Sequence, residues 1–271
     1  MATVTKKNQT SQYIDHAIDH AIKCFERGQP QAAINCLEDL VHQVPSAYNA
    51  HTLLGCYYLS VNQLEDAEVC FSHIIKEAPH FDGTYNNLGY IYLKRNDWIH
   101  AGRCFEQALN INPKDLDALN NLALLYRYQS KTKEAEETLL KIIREDSNAL
   151  EARNNLGCLY RDQGKLKKAA NEFKFILKRN PTDTEALNNL ACTYKALYEF
   201  EEAIKLFQKA LALCPIDDTV HYNLALTYLE ADQDHEALKH FENYLEYATD
   251  SKHVEEAKRW IIELSSRSHL K

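Results

Sequence analysis

Glycine and proline are scarce in this chain, which has 7 and 6 of them among 271 residues. An all-β fold needs turn residues between many short strands, so this scarcity argues against such a fold. The lack of glycine-rich segments also argues against a phosphate-binding loop. These absences favour a helical fold.

Long apolar runs are absent as well. No segment approaches the roughly 20 apolar residues of a membrane-spanning helix, so we expect no membrane insertion. The first 20 residues lack the apolar core of a secretory signal, so we expect a cytoplasmic protein. The eight cysteines include no Cys-x-x-Cys pair, and we expect them to be reduced thiols that serve as packing residues.

Basic residues do not outnumber acidic ones. Lysine and arginine total 31 against 39 aspartate and glutamate residues, a net charge of −8. Nucleic-acid binding calls for a basic surface, so we expect no nucleic-acid partner. The charge is uneven, because residues 150–183 hold eight basic and four acidic side chains, whereas residues 218–251 hold one and eight.

A period of 34 residues organises the rest of the chain. Prolines are separated by 34 residues or by twice that number, at Pro45, Pro79, Pro113, Pro181 and Pro215. Seven blocks follow one another without insertion: 14–47, 48–81, 82–115, 116–149, 150–183, 184–217 and 218–251. A fixed period of this length indicates a repeat architecture.

Each block predicts two helices. Leucine at position 7, a small residue at position 8 and tyrosine at position 11 recur in nearly every block. They share one face of a first helix. Alanine at position 20 and phenylalanine or leucine at position 24 mark a second helix, which proline at position 32 ends. Such a hairpin buries its apolar face by stacking on its neighbours.

The pattern Leu-(Gly/Ala)-x-x-Tyr, followed by Ala, Phe and Pro, resembles the tetratricopeptide repeat family over nearly nine-tenths of the chain. The resemblance implies an all-α fold, a right-handed α-solenoid of seven hairpins whose first helices line a concave groove. Residues 252–265 have an amphipathic pattern and are expected to form a C-terminal capping helix. We expect flexible segments at 1–13 and 266–271.

Asparagine supplies the strongest binding signal. It occupies position 6 of five consecutive blocks and position 5 of four: Asn87, Asn121, Asn155, Asn189 and Asn223, and Asn86, Asn120, Asn154 and Asn188. Asparagine is a mediocre helix former, so this asparagine ladder needs an explanation. The resemblance places it in the groove, where a carboxamide can donate to and accept from a peptide backbone. The arrangement is similar to the ladder of O-linked N-acetylglucosamine transferase, whose repeat domain holds extended polypeptide.

A structural explanation for the ladder stays open, since asparagine at position 6 is common in the family and can satisfy neighbouring backbone groups. Further candidate groove residues are Tyr90 and Leu124 at position 9, and Arg127, Arg161 and Lys195 at position 12. They predict a protein or peptide partner with acidic residues beside apolar ones. Alternatively, these cations are solvated and pair with acids of their own repeats. Acids at position 2, such as Glu185, lie near helix N-termini, where the helix dipole favours them.

Other chemistries find little support. His16, His20 and Cys24 recur every four residues, as metal ligands on a helix can, but the last two fall at packing positions, so we expect no metal and no cofactor. His235-Glu236 is followed by His240, which lies about 140° round the helix and does not match a zinc-protease motif. The family's clamp for chaperone C-termini is also absent, because position 5 is never lysine and position 6 is never arginine.

We therefore predict a non-enzymatic protein–protein interaction scaffold that binds an extended polypeptide segment in its groove. One alternative is an architectural subunit of a larger assembly, such as a secretion, pilus or organelle scaffold. The other is a regulatory subunit of a separate enzyme, such as a glycosyltransferase. Competition by a peptide favours the first role, concentration-dependent self-association favours the second, and co-purification with a catalytic chain favours the third.

Overall fold

A computed structural model describes residues 2–81, 83–248 and 253–268. In this part of the chain the regular structure consists of α-helices. They are α1 (Ala2–Glu26), α2 (Pro30–Gln43), α3 (Tyr48–Ser60), α4 (Leu64–Glu77), α5 (Thr84–Lys94), α6 (Trp98–Ile111), α7 (Leu116–Tyr128), α8 (Thr132–Glu145), α9 (Leu150–Asp162), α10 (Leu166–Arg179), α11 (Thr184–Ala196), α12 (Phe200–Leu213), α13 (Asp218–Glu230), α14 (Asp234–Tyr247) and α15 (Val254–Ser268). The blocks from 48–81 to 218–251 each hold two of them in order, and block 14–47 holds the C-terminal part of α1 together with α2.

The chain forms two compact units, residues 1–138 and 139–271, and the division falls inside α8. In the first unit α1 packs on α2, α3 on α4 and α5 on α6, and the second helix of each pair contacts the first helix of the next. In the second unit the same holds for α9 with α10, α11 with α12 and α13 with α14. Consecutive hairpins therefore stack as the sequence predicts, and the fold is an all-α helical-repeat solenoid.

The turn inside each hairpin has the same backbone shape in all seven blocks. Position 15 takes a positive φ between 56° and 72° every time, at Gly28, Asn62, Asn96, Ser130, Gly164, Tyr198 and Asp232. Glycine, asparagine and aspartate adopt this left-handed conformation readily. Tyr198 does not, and its side chain is 79% exposed, so the closure of the hairpin imposes this conformation on it.

The core follows the repeat positions. The alanine at position 20 is completely buried in all seven blocks. The side chain at position 24 is buried as well, and it packs where the two helices of a hairpin approach most closely. A Cβ atom added to Gly89 at position 8 would lie 2.6 Å from the ring of Phe105. Gly55 and Gly157 show the same close approach to their own phenylalanines. Glycine at position 8 therefore makes room for the ring.

Aspartate at position 34 begins several first helices. Asp115, Asp183 and Asp217 are N-caps whose carboxylates accept hydrogen bonds from the backbone N–H groups of the first turn. The acids at position 2, Asp117, Glu151 and Glu185, lie in the first turns of their helices as expected, and the acid at position 34 makes the capping hydrogen bonds. An N-cap aspartate satisfies N–H groups that have no partner within the helix.

A side chain at position 4 holds the loop between repeats. Its N–H groups donate to the backbone carbonyl at position 32 of the preceding block, which the loop would otherwise leave to solvent. This bond occurs three times: His51 to Pro45 (3.1 Å), Arg153 to Ser147 (3.1 and 3.2 Å) and His221 to Pro215 (3.0 Å). Arginine thus takes the place of histidine in block 150–183, which follows the block that lacks the proline.

The ends differ in part from the predicted flexible segments. The helix α1 begins at Ala2, so residues 2–13 are helical, and Met1 lies outside the described residues. No glycine or proline interrupts this polar stretch, so the helix extends through it. At the other end α15 packs on α14 through Ala257 and Leu264, which are both buried. It continues to Ser268, and residues 252 and 269–271 lie outside the described part.

Among the described residues, no helix combines the length and the apolar character that crossing a bilayer requires.

Candidate peptide-binding surface

The asparagine ladder lies on the first helices of its hairpins, α5, α7, α9, α11 and α13. Its members are buried or half-buried. Asn86, Asn120 and Asn189 retain 9%, 5% and 8% of their exposure. Side chains this deep need hydrogen-bond partners, because burying an unsatisfied amide is costly.

The ladder amides bond to one another between successive repeats. Asparagine at position 6 donates through Nδ2 to the Oδ1 atom of asparagine at position 5 of the preceding repeat. In the first unit Asn121 donates to Asn86 (2.9 Å). In the second unit Asn189 donates to Asn154 and Asn223 to Asn188, both at 3.0 Å. The doubled asparagine thus has a structural role, and the partner is a side chain rather than the neighbouring backbone.

In the second unit two charged side chains end this chain of hydrogen bonds. Arg161 donates from Nη1 to Asn189 Oδ1 (3.2 Å), and Asn154 donates from Nδ2 to Glu185 Oε1 (2.6 Å). Every donor therefore points from the cation towards the carboxylate. A chain polarised in this way strengthens each of its bonds and fixes the orientation of the two amides.

Each linked amide keeps part of its hydrogen-bonding capacity. A carboxamide has two N–H groups and two acceptor lone pairs. Asn189 and Asn154 each use one N–H and one lone pair in the chain just described. One N–H group and one lone pair on each amide are therefore not used in this chain of hydrogen bonds.

Apolar candidates come together in the first unit. Tyr90 and Leu124 line a cavity of about 240 Å³ with Leu93 and the half-exposed Tyr128. Lys94 Nζ lies 5.2 Å from the centre of the Tyr90 ring and also lines this space. Nearby on α5, Asn87 Nδ2 lies 3.9 Å from Cys56 Sγ. This cavity offers an apolar contact next to a cation.

The predicted basic edge of the groove consists of Arg127, Arg161 and Lys195, and it is largely paired within the protein. Lys195 Nζ lies 3.3 Å from a carboxylate oxygen of Glu230. Arg161 donates to Asn189 and lies 3.8 Å from Cys158 Sγ. Arg127 is half-buried near the end of α7. These pairings reduce the charge that the edge can offer to a partner.

The eight cysteines are thiols, and they are buried or half-buried. Burial raises the pKa of the Cys192 thiol although Arg161 and Lys195 oppose the shift. Of the metal candidates, Cys24 Sγ lies 3.9 Å from His20 Nδ1. Among the described residues, no three His, Cys, Asp or Glu side chains are grouped so that they could hold a metal ion.

The contact of Glu185 with the ladder was not predicted from the sequence. Glu185 was assigned only to the helix N-terminus, yet it accepts a hydrogen bond from Asn154 of the preceding repeat. Acids at position 2 recur beside the doubled asparagines, and this coincidence is the signal that could have identified it.

Protein-family models match several segments of the chain. Models described as tetratricopeptide repeat match residues 83–115, 104–137, 150–183 and 176–205, and a model described as TPR repeat matches 196–232. Together these segments cover just over half of the chain. No curated protein sequence is similar enough to count as a match.

Several solved structures share the fold. A tetratricopeptide repeat protein from Parabacteroides merdae aligns with a TM-score of 0.73 at 16% identity, over 93% of this chain and 99% of that one. The APC/C hetero-tetramer Cut9–Hcn1 gives 0.73 at 20% identity, over 90% of this chain and 48% of that one. Yeast Tom70 gives 0.71 at 18%, over 99% of this chain and 57% of that one. Likeness at these identities shows the fold alone.

Proposed function

This chain belongs to the tetratricopeptide repeat family, and we propose that it is a non-enzymatic interaction scaffold that binds an extended polypeptide along its asparagine ladder. Proteins of this family generally bind proteins or peptides and are generally not enzymes. The proposal for the ladder goes further and rests on the geometry of its amides.

The observation that carries the proposal is the fixed orientation of half-satisfied amides. Asn154 and Asn189 are held by Arg161 and Glu185, so their side chains are already ordered before a ligand arrives. Binding to ordered groups avoids part of the conformational entropy cost. Each amide can then exchange one donor and one acceptor with the backbone of an extended peptide, which needs no particular ligand side chain.

The test uses peptides selected from a random library for binding to the whole chain. Their affinity is then measured by calorimetry for the wild type and for Asn189→Ala, Asn223→Ala and the double variant. We expect a loss of about 0.5–1.5 kcal/mol for each hydrogen bond removed. Asn171→Ala is the matched control, because Asn171 is an exposed asparagine inside α10 and its loss leaves the ladder intact.

Measuring the free energy of unfolding of each variant distinguishes an effect on binding from an effect on folding. Asn189→Ala also removes the bond to Asn154, so we expect a modest fall in the free energy of unfolding of about 1 kcal/mol, partly offset by the better helix propensity of alanine. Unchanged affinity of both ladder variants, measured on folded protein, would overturn the proposal and leave the ladder as a structural link between repeats.

The architectural and regulatory roles stay predictions. An architectural subunit would self-associate as its concentration rises, and a regulatory subunit would co-purify with a catalytic chain. Sedimentation of the purified chain over a range of concentrations distinguishes the first of these from the groove proposal.

A further inference from the structure

A second cavity lies in the first unit, between α2, α3 and α4, and no ladder residue lines it. Its volume is about 460 Å³, within the usual size of a small-ligand site. Its walls combine apolar side chains, Val41, Leu54 and Val69, with carboxylates and three histidines. Val69 is 68% exposed although it is apolar.

The most informative group in this cavity is His51. It is 92% buried, and its Nδ1 atom has no hydrogen-bond partner. Its Nε2 atom lies 3.1 Å from the carbonyl oxygen of Pro45, which can only accept, so Nε2 carries the proton. Burial lowers the pKa of His51, and nearby His73 lowers it further. The neutral ring therefore presents Nδ1 as an acceptor without a donor.

Two carboxylates add further acceptors to the cavity. Glu38 and Asp66 line it with their carboxylates, and Tyr58 donates its hydroxyl hydrogen to Glu38. Burial and the charges of Asp66 and Glu38 raise the pKa of the Cys70 thiol to about 12, so the thiol stays protonated. Negatively charged hydrogen-bond acceptors thus lie near the unpaired Nδ1 atom of His51. Such a site favours a ligand that brings several N–H donors and a positive charge.

Repeat 5 shows how the same positions are filled elsewhere in the chain. There position 4 is Arg153, which takes the place of His51. Its Nη1 atom lies 2.7 Å from Glu172, at the position equivalent to Cys70, and its guanidinium carbon lies 3.6 Å from the centre of the Phe175 ring. Phe175 is equivalent to His73. The protein's own arginine thus fills this space in repeat 5.

Repeat 7 provides the second comparison. His221 is equivalent to His51 and donates to Pro215 in the same way. Its Nδ1 atom, however, lies 2.9 Å from Nδ1 of His240, which stands at the position of Cys70. In repeats 5 and 7 a side chain of the protein thus completes the site, whereas in repeat 2 the small Cys70 leaves His51 Nδ1 unpaired.

We propose that the cavity between α2, α3 and α4 is an anchor site for an arginine side chain of a protein partner. The guanidinium donates to His51 Nδ1 and to the carboxylates of Glu38 and Asp66. It lies next to the His73 ring, which packs against the His51 ring with centres 4.5 Å apart. The aliphatic part of the arginine packs against Val69. A planar guanidinium with five donors suits acceptors on several sides better than a lysine ammonium does.

The test titrates N-acetyl-arginine N-methylamide into the full chain labelled with ¹⁵N-histidine, and follows the ¹⁵N shift of His51 Nδ1. A new hydrogen bond at this atom changes its shift, and we expect saturable binding. The citrulline analogue has the same shape without the charge. We expect its affinity to be lower by at least about tenfold. The lysine analogue should also bind more weakly. Equal binding of either analogue, or a His51 signal that does not move, would overturn the proposal.

Variants locate the site. Glu38→Gln and Asp66→Asn should each weaken binding of the arginine probe about three- to tenfold, since each removes a charge-assisted hydrogen bond. The matched control is Glu77→Gln, because Glu77 is an exposed charge on α4, the helix of Asp66. It should leave the affinity for the arginine probe unchanged. If all three variants bind alike, the probe occupies another surface and the proposal fails.

A graft provides a second test. The double variant His51→Arg with Cys70→Glu copies the arrangement of Arg153 and Glu172 into repeat 2. We expect it to keep its helical content and to lose probe binding, because its own arginine fills the cavity. A folded double variant that still binds the probe at the wild-type affinity would contradict the assignment.

Discussion

At the scale of single residues, the close packing of each hairpin depends on the size of two side chains. The sequence pairs glycine at position 8 with phenylalanine at position 24 in repeats 2, 3 and 5, and alanine with leucine in repeats 1 and 4. Repeats 6 and 7 hold both alanine and phenylalanine, so the ring has some freedom to shift. In repeats 1 to 5 the two side chains are therefore matched in volume, as cores of native density require.

Gly89→Ala tests this match. The new Cβ would lie 2.6 Å from the Phe105 ring, which is fully buried, so we expect a loss of about 1–3 kcal/mol in the free energy of unfolding by urea. Gly102→Ala is the control, since its Cβ would meet Leu125 at an ordinary 3.4 Å. It should gain up to about 1 kcal/mol from helix propensity.

A compensating change sharpens this experiment. Phe105→Leu in the Gly89→Ala background recreates the alanine–leucine pair of repeat 1, and it should recover stability relative to Gly89→Ala alone. A Gly89→Ala variant as stable as Gly102→Ala would show that the ring moves aside without cost.

The sequence predicts which residues are buried better than which residues bond to each other. Periodicity identified the core alanine and phenylalanine positions, because the spacing of apolar residues determines one face of a helix. It did not identify the bond from Asn121 to Asn86 or from Asn154 to Glu185. These depend on how far one hairpin is offset along its neighbour, which a repeat length alone does not specify.

At the scale of elements, α15 covers the last hairpin. Its apolar side buries Ala257 and Leu264 while Ile262 remains 72% exposed. The Tyr222 ring stacks on His253 just before this helix, with centres 4.4 Å apart. The structure thus has a helix, α15, where the sequence predicts the capping helix 252–265. Residue 252 lies outside the described residues, so the predicted start of this helix stays a prediction.

Leu264→Asp tests the capping role without shortening the chain. A buried carboxylate without a partner should detach α15, because burying an unpaired charge is costly. Solenoid stability is a sum of interfaces between neighbours, so hydrogen exchange should become fast in α13 to α15 and stay slow in α9 to α11. Ile262→Asp places the same charge on the exposed side of the helix and should leave exchange unchanged. Equal protection in both variants would contradict the capping role.

The start of the chain shows an element that the sequence did not predict. Residues 2–13 are polar and lie at a chain end, and the position at the end led to the expectation of a flexible segment. Yet they contain no residue that stops a helix, and α1 runs through them into the core residue Ala21. A helix that is anchored at one end can begin well before its first buried residue.

At the scale of the whole molecule, the excess of positive charge lies in one repeat, where aromatic rings contact many of the basic side chains. Repeat 5 carries the excess of basic residues, and several of them lie over aromatic rings of their own unit: Arg153 and Arg179 over Phe175, Lys165 and Lys168 over Tyr160, and Lys174 over Tyr194. Arg161, another basic residue of repeat 5, donates to the ladder amide of Asn189. The local excess was predictable by counting, whereas its placement required the structure.

This placement determines how charge should act on the binding of an acidic peptide at the ladder. Long-range attraction depends on the net charge near the site and is screened over about 8–10 Å at physiological ionic strength. A contact at the ladder instead depends on the position of the cation, because Arg161 orients Asn189. The two contributions can be separated by reversing two charges of the same repeat, since Lys178 is exposed and near the end of α10, whereas Arg161 is half-buried beside the amides.

We expect Arg161→Glu and Lys178→Glu to slow association of an acidic peptide at low salt, because both change the charge of repeat 5 equally. Raising the salt from about 50 to about 500 mM should remove this difference from the wild type in the association rate. Only Arg161→Glu should also speed dissociation, at every salt concentration, because it leaves Asn189 without its charged donor. Stopped-flow kinetics across the salt series measures both rates. An unchanged dissociation rate for Arg161→Glu would mean that the ladder does not need its cation, and that the order of the amides comes from the bonds between asparagines alone.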